Sequence, residues 1–478
     1  MKNIECRLLW PFYGTALISS SFSVAVPIWV IFFQSHFSFL QVSIALSLQS
    51  LAAIILEIPS GSLADVFGRK YSVVTGIILQ GILWLFLPFI RSDLLLYAVF
   101  FMIGAARTLE SGADKAWMVD WLKANRQGKL VREMFLKLHG LHSAGSVIGS
   151  LMASVMLFSF EAWFLFWVQG GGYILEGMLL LCFAKESVRP CRKNHRPPSL
   201  ITKSLQASKT GLYFVWHNKP VLYLLLASTF AVCSKDFGCI AWQPLLVDLS
   251  LPAEHLGIVF SVAGALGIMT PLLAKGLLKA LEKESNFLIF TNSVEFLLLL
   301  SLCFIDQPFV SAGVLVYLLV MLVSDLQLPI SSSCFHSLIP NKIRATVASV
   351  QSVVFAISSL AVTAAGGYLM DTKGAKHAMV MCSFLLIPAG ILYAGMKSSR
   401  ARLPRIEEQL DRLIGEPMQQ LFPELTRFPM PPFRNFGYPF VHSCNRANFP
   451  RPAASACAPK LREVMFRSMN GYWFPRHS

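Results

Sequence analysis

Up to about residue 397 the chain is a succession of apolar runs, each near 20 residues long, separated by short polar segments. A run of that length crosses the hydrocarbon core of a bilayer as a helix. With no water there to bond free N–H and C=O groups, helices are the spanning element that such runs allow. Hydrophobic residues make up 55% of the 478 and mean hydropathy is +0.57, which excludes a soluble globular domain.

Twelve spans are expected, at 8–33, 39–60, 71–90, 94–114, 138–158, 163–184, 221–247, 256–274, 286–305, 309–335, 346–370 and 377–396. The longer polar segment 185–220 divides six spans from six. Pro197 and Pro198 break any helix there, while 200–217 has the apolar spacing of a helix lying on the membrane surface. The expected divisions are therefore 8–184, a central loop at 185–220, 221–397, and a polar tail at 398–478. In the tail, 404–414 reads as a short amphipathic helix and 416–478 as disordered or lying on anionic lipid. The apolar run after the N-terminal MKNIECRLLW extends well beyond a signal sequence, so it is expected to be retained as the first helix.

Loop charge orients the spans. The loops at 66–71, 115–137, 185–219, 275–285 and 340–345 hold 21 Lys and Arg, against only Arg91, Lys373 and Lys376 in the intervening loops. Positively charged loops stay on the cytoplasmic side, which places both termini there too. The net charge of +15 would suggest nucleic acid in a soluble protein. Here the basic residues alternate between loops rather than gather in a groove, and no nucleic-acid partner is expected.

One polar segment interrupts the pattern with unusual density: EIPSGSLADVFGRK, residues 57–70, between two spans. Read from its residues it is a turn, with Gly61 and Gly68 allowing close backbone approach, Asp65 able to pair with Arg69 or meet helix-end N–H groups, and Arg69 and Lys70 marking the cytoplasmic face. The segment resembles the signature loop between helices 2 and 3 of the major facilitator superfamily, with Gly61, Leu63, Asp65, Gly68, Arg69 and Lys70 on the motif positions. The resemblance implies an all-α integral membrane fold with twelve transmembrane helices in two six-helix halves. It implies a gate role for Asp65 and Arg69, which in that family hold the cytoplasmic ends of neighbouring helices together. The phrase EIPSGSLAD resembles a bacterial branch of the superfamily, and hence a bacterial inner-membrane protein. The second half echoes the motif only as AKGLLKALEKES, which keeps Gly276 and a basic string.

Charges inside spans are costly and therefore informative. Glu57 suits either a proton site or a structural reach to a basic loop. In the fourth span Arg107, Glu110 and Asp114 recur at separations of three and four, which predicts one helical face bordering an aqueous cavity. Arg107 and Glu110 read either as substrate or proton ligands or as a structural pair, and Asp114 with Lys115 as part of the gate. Asp120 falls beyond the membrane end of the span. In the fifth span Gly145 and Gly149, four apart, predict close helix packing. The span resembles the superfamily's antiporter motif loosely, without its Gly-Pro pair. His139 and His142 read as hydrogen-bonded structural residues. Lys235 and Asp236 are adjacent and point about 100° apart, so one faces a cavity while the other pairs elsewhere. Asp325, Glu176 and Glu295 fit either a ligand role or a polar seam between helices.

The ten cysteines show no metal or redox spacing, and no HExxH motif, serine elbow or phosphate-binding loop occurs. No cofactor, metal or enzymatic activity is expected. The reading is secondary active transport of a small solute, proton-coupled through carboxylates such as Glu57 and Asp325, by symport or antiport, with membrane lipids as surroundings and a monomer as the expected unit. A transport-inactive receptor or assembly protein and a membrane-embedded enzyme are the alternatives.

Overall fold

A computed structural model of the chain describes residues 2–111, 113–185, 211–306, 309–339 and 343–400; the side chains of residues 2–7, 58, 62, 65–67, 132, 344, 345 and 400 fall outside that description. Most of the expected central loop, at 186–210, and the tail beyond residue 400 lie outside the described residues. No strand occurs among those described.

The helices are α1 (Lys2–Ser21), α2 (Trp29–Gln34), α3 (Phe39–Phe67), α4 (Arg69–Phe86), α5 (Asp93–Glu110), α6 (Ala113–Ala124), α7 (Val131–Leu157) and α8 (Ala162–Phe183). After the central segment come α9 (Lys219–Asp248), α10 (Leu256–Leu281), α11 (Glu284–Ser301), α12 (Val310–Ser337), α13 (Arg344–Ser383) and α14 (Leu386–Arg400). Ten helical stretches among the described residues are long and apolar enough to cross a membrane. The last of them, Thr346–Ser399, is 54 residues long, roughly 80 Å of helix at 1.5 Å per residue. It turns at Gly374, whose φ of 79° is a left-handed conformation that favours glycine.

Three local departures from the expected pattern matter. The segment 57–70 is not an open turn: α3 continues as helix through Phe67, and only Gly68, at φ 102°, separates it from α4. A side chain at Gly61 would meet open space, so the close approach expected there does not occur. The first run is not one helix either. Residues 22–28, which include Pro27, leave the helix, and the freed backbone is satisfied by two buried glutamines from other helices. Ala25 N–H donates to Gln169 Oε1 at 2.9 Å, Val30 N–H donates to Gln243 Oε1 at 3.1 Å, and Gln243 Nε2 donates to Val26 O at 2.9 Å. Irregular backbone survives at membrane depth only when protein groups satisfy it in this way. Finally, the fourth run ends as helix at Glu110, because Ser111 adopts a ψ of 129° at the Ser-Gly step. A new helix, α6, then begins at Ala113.

A large buried apolar cluster among the described residues joins helices from before and after the central segment, with Phe33, Phe39, Phe100 and Phe166 meeting Phe237, Trp242, Leu245 and Met370. It lies at one end of the bundle, where α3 begins and residue 371 sits. A second cluster, at the opposite end around Arg69, is drawn from the earlier helices alone, with Phe12, Ile77, Trp117, Leu138 and Leu180 among its members.

Candidate functional site

The two groups of helices are fastened to each other at the Asp371 end. Both carboxylate oxygens of Asp371, on α13, accept from the first free N–H groups of α3: Phe39 at 2.8 Å and Leu40 at 2.9 Å. A helix N-terminus presents unsatisfied donors and partial positive charge, so a carboxylate there is a charge-assisted cap. Ser38 and Gln41 complete a capping box on the same turn. Deeper along the same pair of helices, Ser47 Oγ donates to Leu360 O at 3.1 Å. The contact between α7 and α10 repeats the pattern, with Ile258 N–H donating to Ser154 Oγ and Ser261 Oγ donating to Val147 O, each at 3.0 Å.

Beneath these fastenings lies a cavity of ≈ 540 Å³ between α3 and α5 on one side and α9 and α13 on the other. Its charged residues are Glu57 on α3, Arg107 on α5 and Asp236 on α9. Hydroxyl and amide groups, among them Gln49, Ser50, Thr108, Ser359 and Thr363, supply much of the remaining wall. Arg107 and Glu57 are exposed to this space, and neither side chain forms an ion pair or hydrogen bond among the described residues. The cavity runs from Ser47 towards Glu57 and Ser111, that is, towards the Arg69 end.

Arg107 and Glu110 form no ion pair among the described residues. Glu110 lines a separate cavity of ≈ 360 Å³ within the earlier helices, together with Asp114, Lys115, His139, His142 and Glu176. There Glu110 Oε2 accepts from Gln80 Nε2 at 2.8 Å, and His142 Nδ1 lies 2.6 Å from Ser20 Oγ. Arg107 and Glu110 both lie on α5 yet line different cavities, whereas Asp114, in the first turn of α6 beyond the break at Ser111, shares the cavity of Glu110.

Among the later helices, Lys235 and Asp236 point to different places. Lys235 Nζ pairs with Asp325 Oδ1 on α12 at 3.0 Å and borders a small cavity of ≈ 120 Å³, whereas Asp236 faces the larger one. Glu295, buried on α11, accepts from Ser324 Oγ at 3.0 Å.

A model of the Major Facilitator Superfamily matches residues 12–363. The chain belongs to this superfamily. It is 27% identical over 385 residues to the uncharacterized MFS-type transporter YxaM of Bacillus subtilis (strain 168), covering 80% of this chain and 94% of that one. Its fold is similar to that of the nucleoside transporter NupG, with a TM-score of 0.67 at 13% identity, covering 81% of this chain and 98% of the other. It is similar also to a bacterial homologue of the iron transporter ferroportin in an inward-facing state, with a TM-score of 0.64 at 14% identity, covering 82% and 99%.

At the Arg69 end, Arg69 and Lys70 act between helices. Arg69 pairs with Asp120 on α6, and Lys70 Nζ donates to the terminal carbonyls of α8, Leu181 O and Ala184 O, each at 2.7 Å. Cations suit such a helix C-terminus. The side chain of Asp65 lies outside the described residues. Gly145 and Gly149 face α1: a methyl at Gly145 would lie 2.6 Å from Ser20 Cβ, and one at Gly149 would lie 2.8 Å from Ser20 O. No group of three or more His, Cys, Asp or Glu residues able to hold a metal occurs among the described residues.

Sequence reasoning passed over Gln169, Gln243 and Asp371. Each was visible as a polar residue in or at the edge of an apolar run, and a polar group at that depth needs a partner. Asp120, expected beyond the membrane end of its span, pairs with Arg69 on α4.

Proposed function

We propose that the chain is a secondary active transporter that moves a small solute across the bacterial inner membrane by alternating access, coupled to protons. The observation that carries this reading is the cavity of ≈ 540 Å³, whose charges come from helices on both sides of the central segment. Twelve spans in two six-helix halves follow if α1 counts as a span and Thr346–Ser399 as two, divided at Gly374. The loop charge bias supports cytoplasmic termini, which makes the Asp371 end the outer face.

In this reading the fastenings of Asp371, Ser47 and Ser154 close the outer side, and the solute site opens inward. Glu57, Arg107 and Asp236 bind solute and proton; Glu110, Lys235 and Asp325 belong to neighbouring polar networks that hold the helices in register. Asp65, Arg69, Lys70 and Asp114 form the inner gate, which tightens when the outer side opens. Gly145 and Gly149 let α7 slide close to α1.

Purified protein in sealed liposomes, with and without an imposed proton gradient, tests the proposal. Gradient-dependent accumulation of a solute supports it. Solute binding without flux would make the chain a receptor and sink the transporter reading.

A further inference from the structure

We propose that the transported solute is an amino-acid-like zwitterion, its carboxylate held by Arg107 and its ammonium by Asp236. This inference rests on the carrier reading and adds the chemical class of its solute.

The argument is one of charge. The cavity wall from the earlier helices offers the guanidinium of Arg107, and the facing wall from the later helices offers the carboxylate of Asp236. Asp236 lies outside the ion pair that its neighbour Lys235 makes with Asp325. Closing such a cavity around a solute removes water from every charge in it, and an unpaired charge in that state is strongly disfavoured. An uncharged sugar would offer Arg107, Asp236 and Glu57 hydroxyls but no opposite charge, and Asp236 already has a hydroxyl partner in Ser359. A simple anion would suit Arg107 but meet two carboxylates; a simple cation would suit Asp236 but meet Arg107. A solute with both signs, separated by a few bonds, satisfies both walls at once and draws them together. Arg107 further presents the planar fork that matches a carboxylate bidentately.

The remaining charge then identifies the proton's place. Arg107, Asp236 and Glu57 sum to one negative charge, which a neutral zwitterion does not change. A proton on Glu57 neutralises the loaded cavity. The hydroxyl of Ser50 and the amide of Gln49 offer such a solute further polar contacts.

The test uses purified full-length protein and four probe sets: the twenty free amino acids, their N-acetyl derivatives, their methyl esters, and neutral sugars. Thermal stabilisation and counterflow in liposomes are both read. The expected result is a response to at least one free amino acid that is at least about tenfold stronger than to its N-acetyl or methyl-ester form. Arg107→Gln should lose that preference over the methyl ester, and Asp236→Asn should lose it over the N-acetyl form. Such opposite swings cannot come from misfolding. No response to any free amino acid, a preferred sugar, or two variants that weaken all probes alike would overturn the inference. Stabilisation by an amino acid with no counterflow would instead defeat the carrier reading and leave the zwitterion site standing.

Discussion

Gln243 holds Val30 across the interface between the earlier and later helices, accepting the Val30 N–H at 3.1 Å while its own amide donates to Val26 O at 2.9 Å. One side chain thus satisfies both sides of a gap in the first helix. The gap leaves free backbone groups at membrane depth, and each such group costs about 1–3 kcal/mol when its partner is removed. Gln243→Leu keeps the size of the side chain and abandons both groups. The expected outcome is a clear loss of stability in detergent, larger than for a leucine placed at an exposed polar position of the same helix. A thermal unfolding series checks it.

Asp371 makes a second tie of the same kind, and its loss should act on conformation more than on folding. Its residue is exposed, and its two bonds run to the free N-terminus of α3. Hydrogen bonds to a charged group contribute about 1.5–3 kcal/mol. Asp371→Ala should therefore favour the state open at that end by roughly tenfold or more. A cysteine at Ser47, labelled from the outside, should react faster in this background; an unchanged rate would show that Asp371 carries no share of the closure.

Lys235 and Asp325 call for a cycle rather than a single variant. Their side chains are 28% and 42% exposed, so solvent screens the pair and its worth falls below the ~3–5 kcal/mol lost when a fully buried pair is broken. Lys235→Met or Asp325→Asn alone should destabilise the protein, and the double variant should recover part of that loss. Additive losses would mean that the two charges are not coupled.

The spans were legible because length and hydropathy are local properties of each run. The breaks were less so. Pro27 was visible inside the first run, but what allows the helix to open there is Gln169 and Gln243, more than a hundred residues away. The Ser111–Gly112 step was a plain stop signal, outweighed by the regular spacing of Arg107, Glu110 and Asp114 that a continuous helix would have placed on one face. Similarly, the sequence marks Lys235 as needing a partner, but choosing Asp325 among the carboxylates of the apolar runs requires knowing that α9 and α12 are neighbours. Partner choice lives in tertiary packing, which periodicity does not encode.

Glu57 and Glu110 stand in different cavities. Glu57 shares the large cavity with Arg107 and Asp236, whereas Glu110 accepts a hydrogen bond from Gln80 in the other one. If Glu57 carries the coupled proton, Glu57→Gln supplies a permanently neutral group of the same size. Exchange of solute across a liposome membrane without a gradient should persist, because the loaded cavity is already neutral. Accumulation driven by an imposed proton gradient should disappear. Glu110→Gln should do the reverse: retain gradient-driven accumulation per folded molecule, with any loss confined to stability. Both variants keep the side-chain shape, so measuring exchange and accumulation on the same liposomes separates coupling from folding. Accumulation lost in Glu110→Gln but kept in Glu57→Gln would move the proton to the cavity within the earlier helices, with Asp114 and Glu176 as its neighbours.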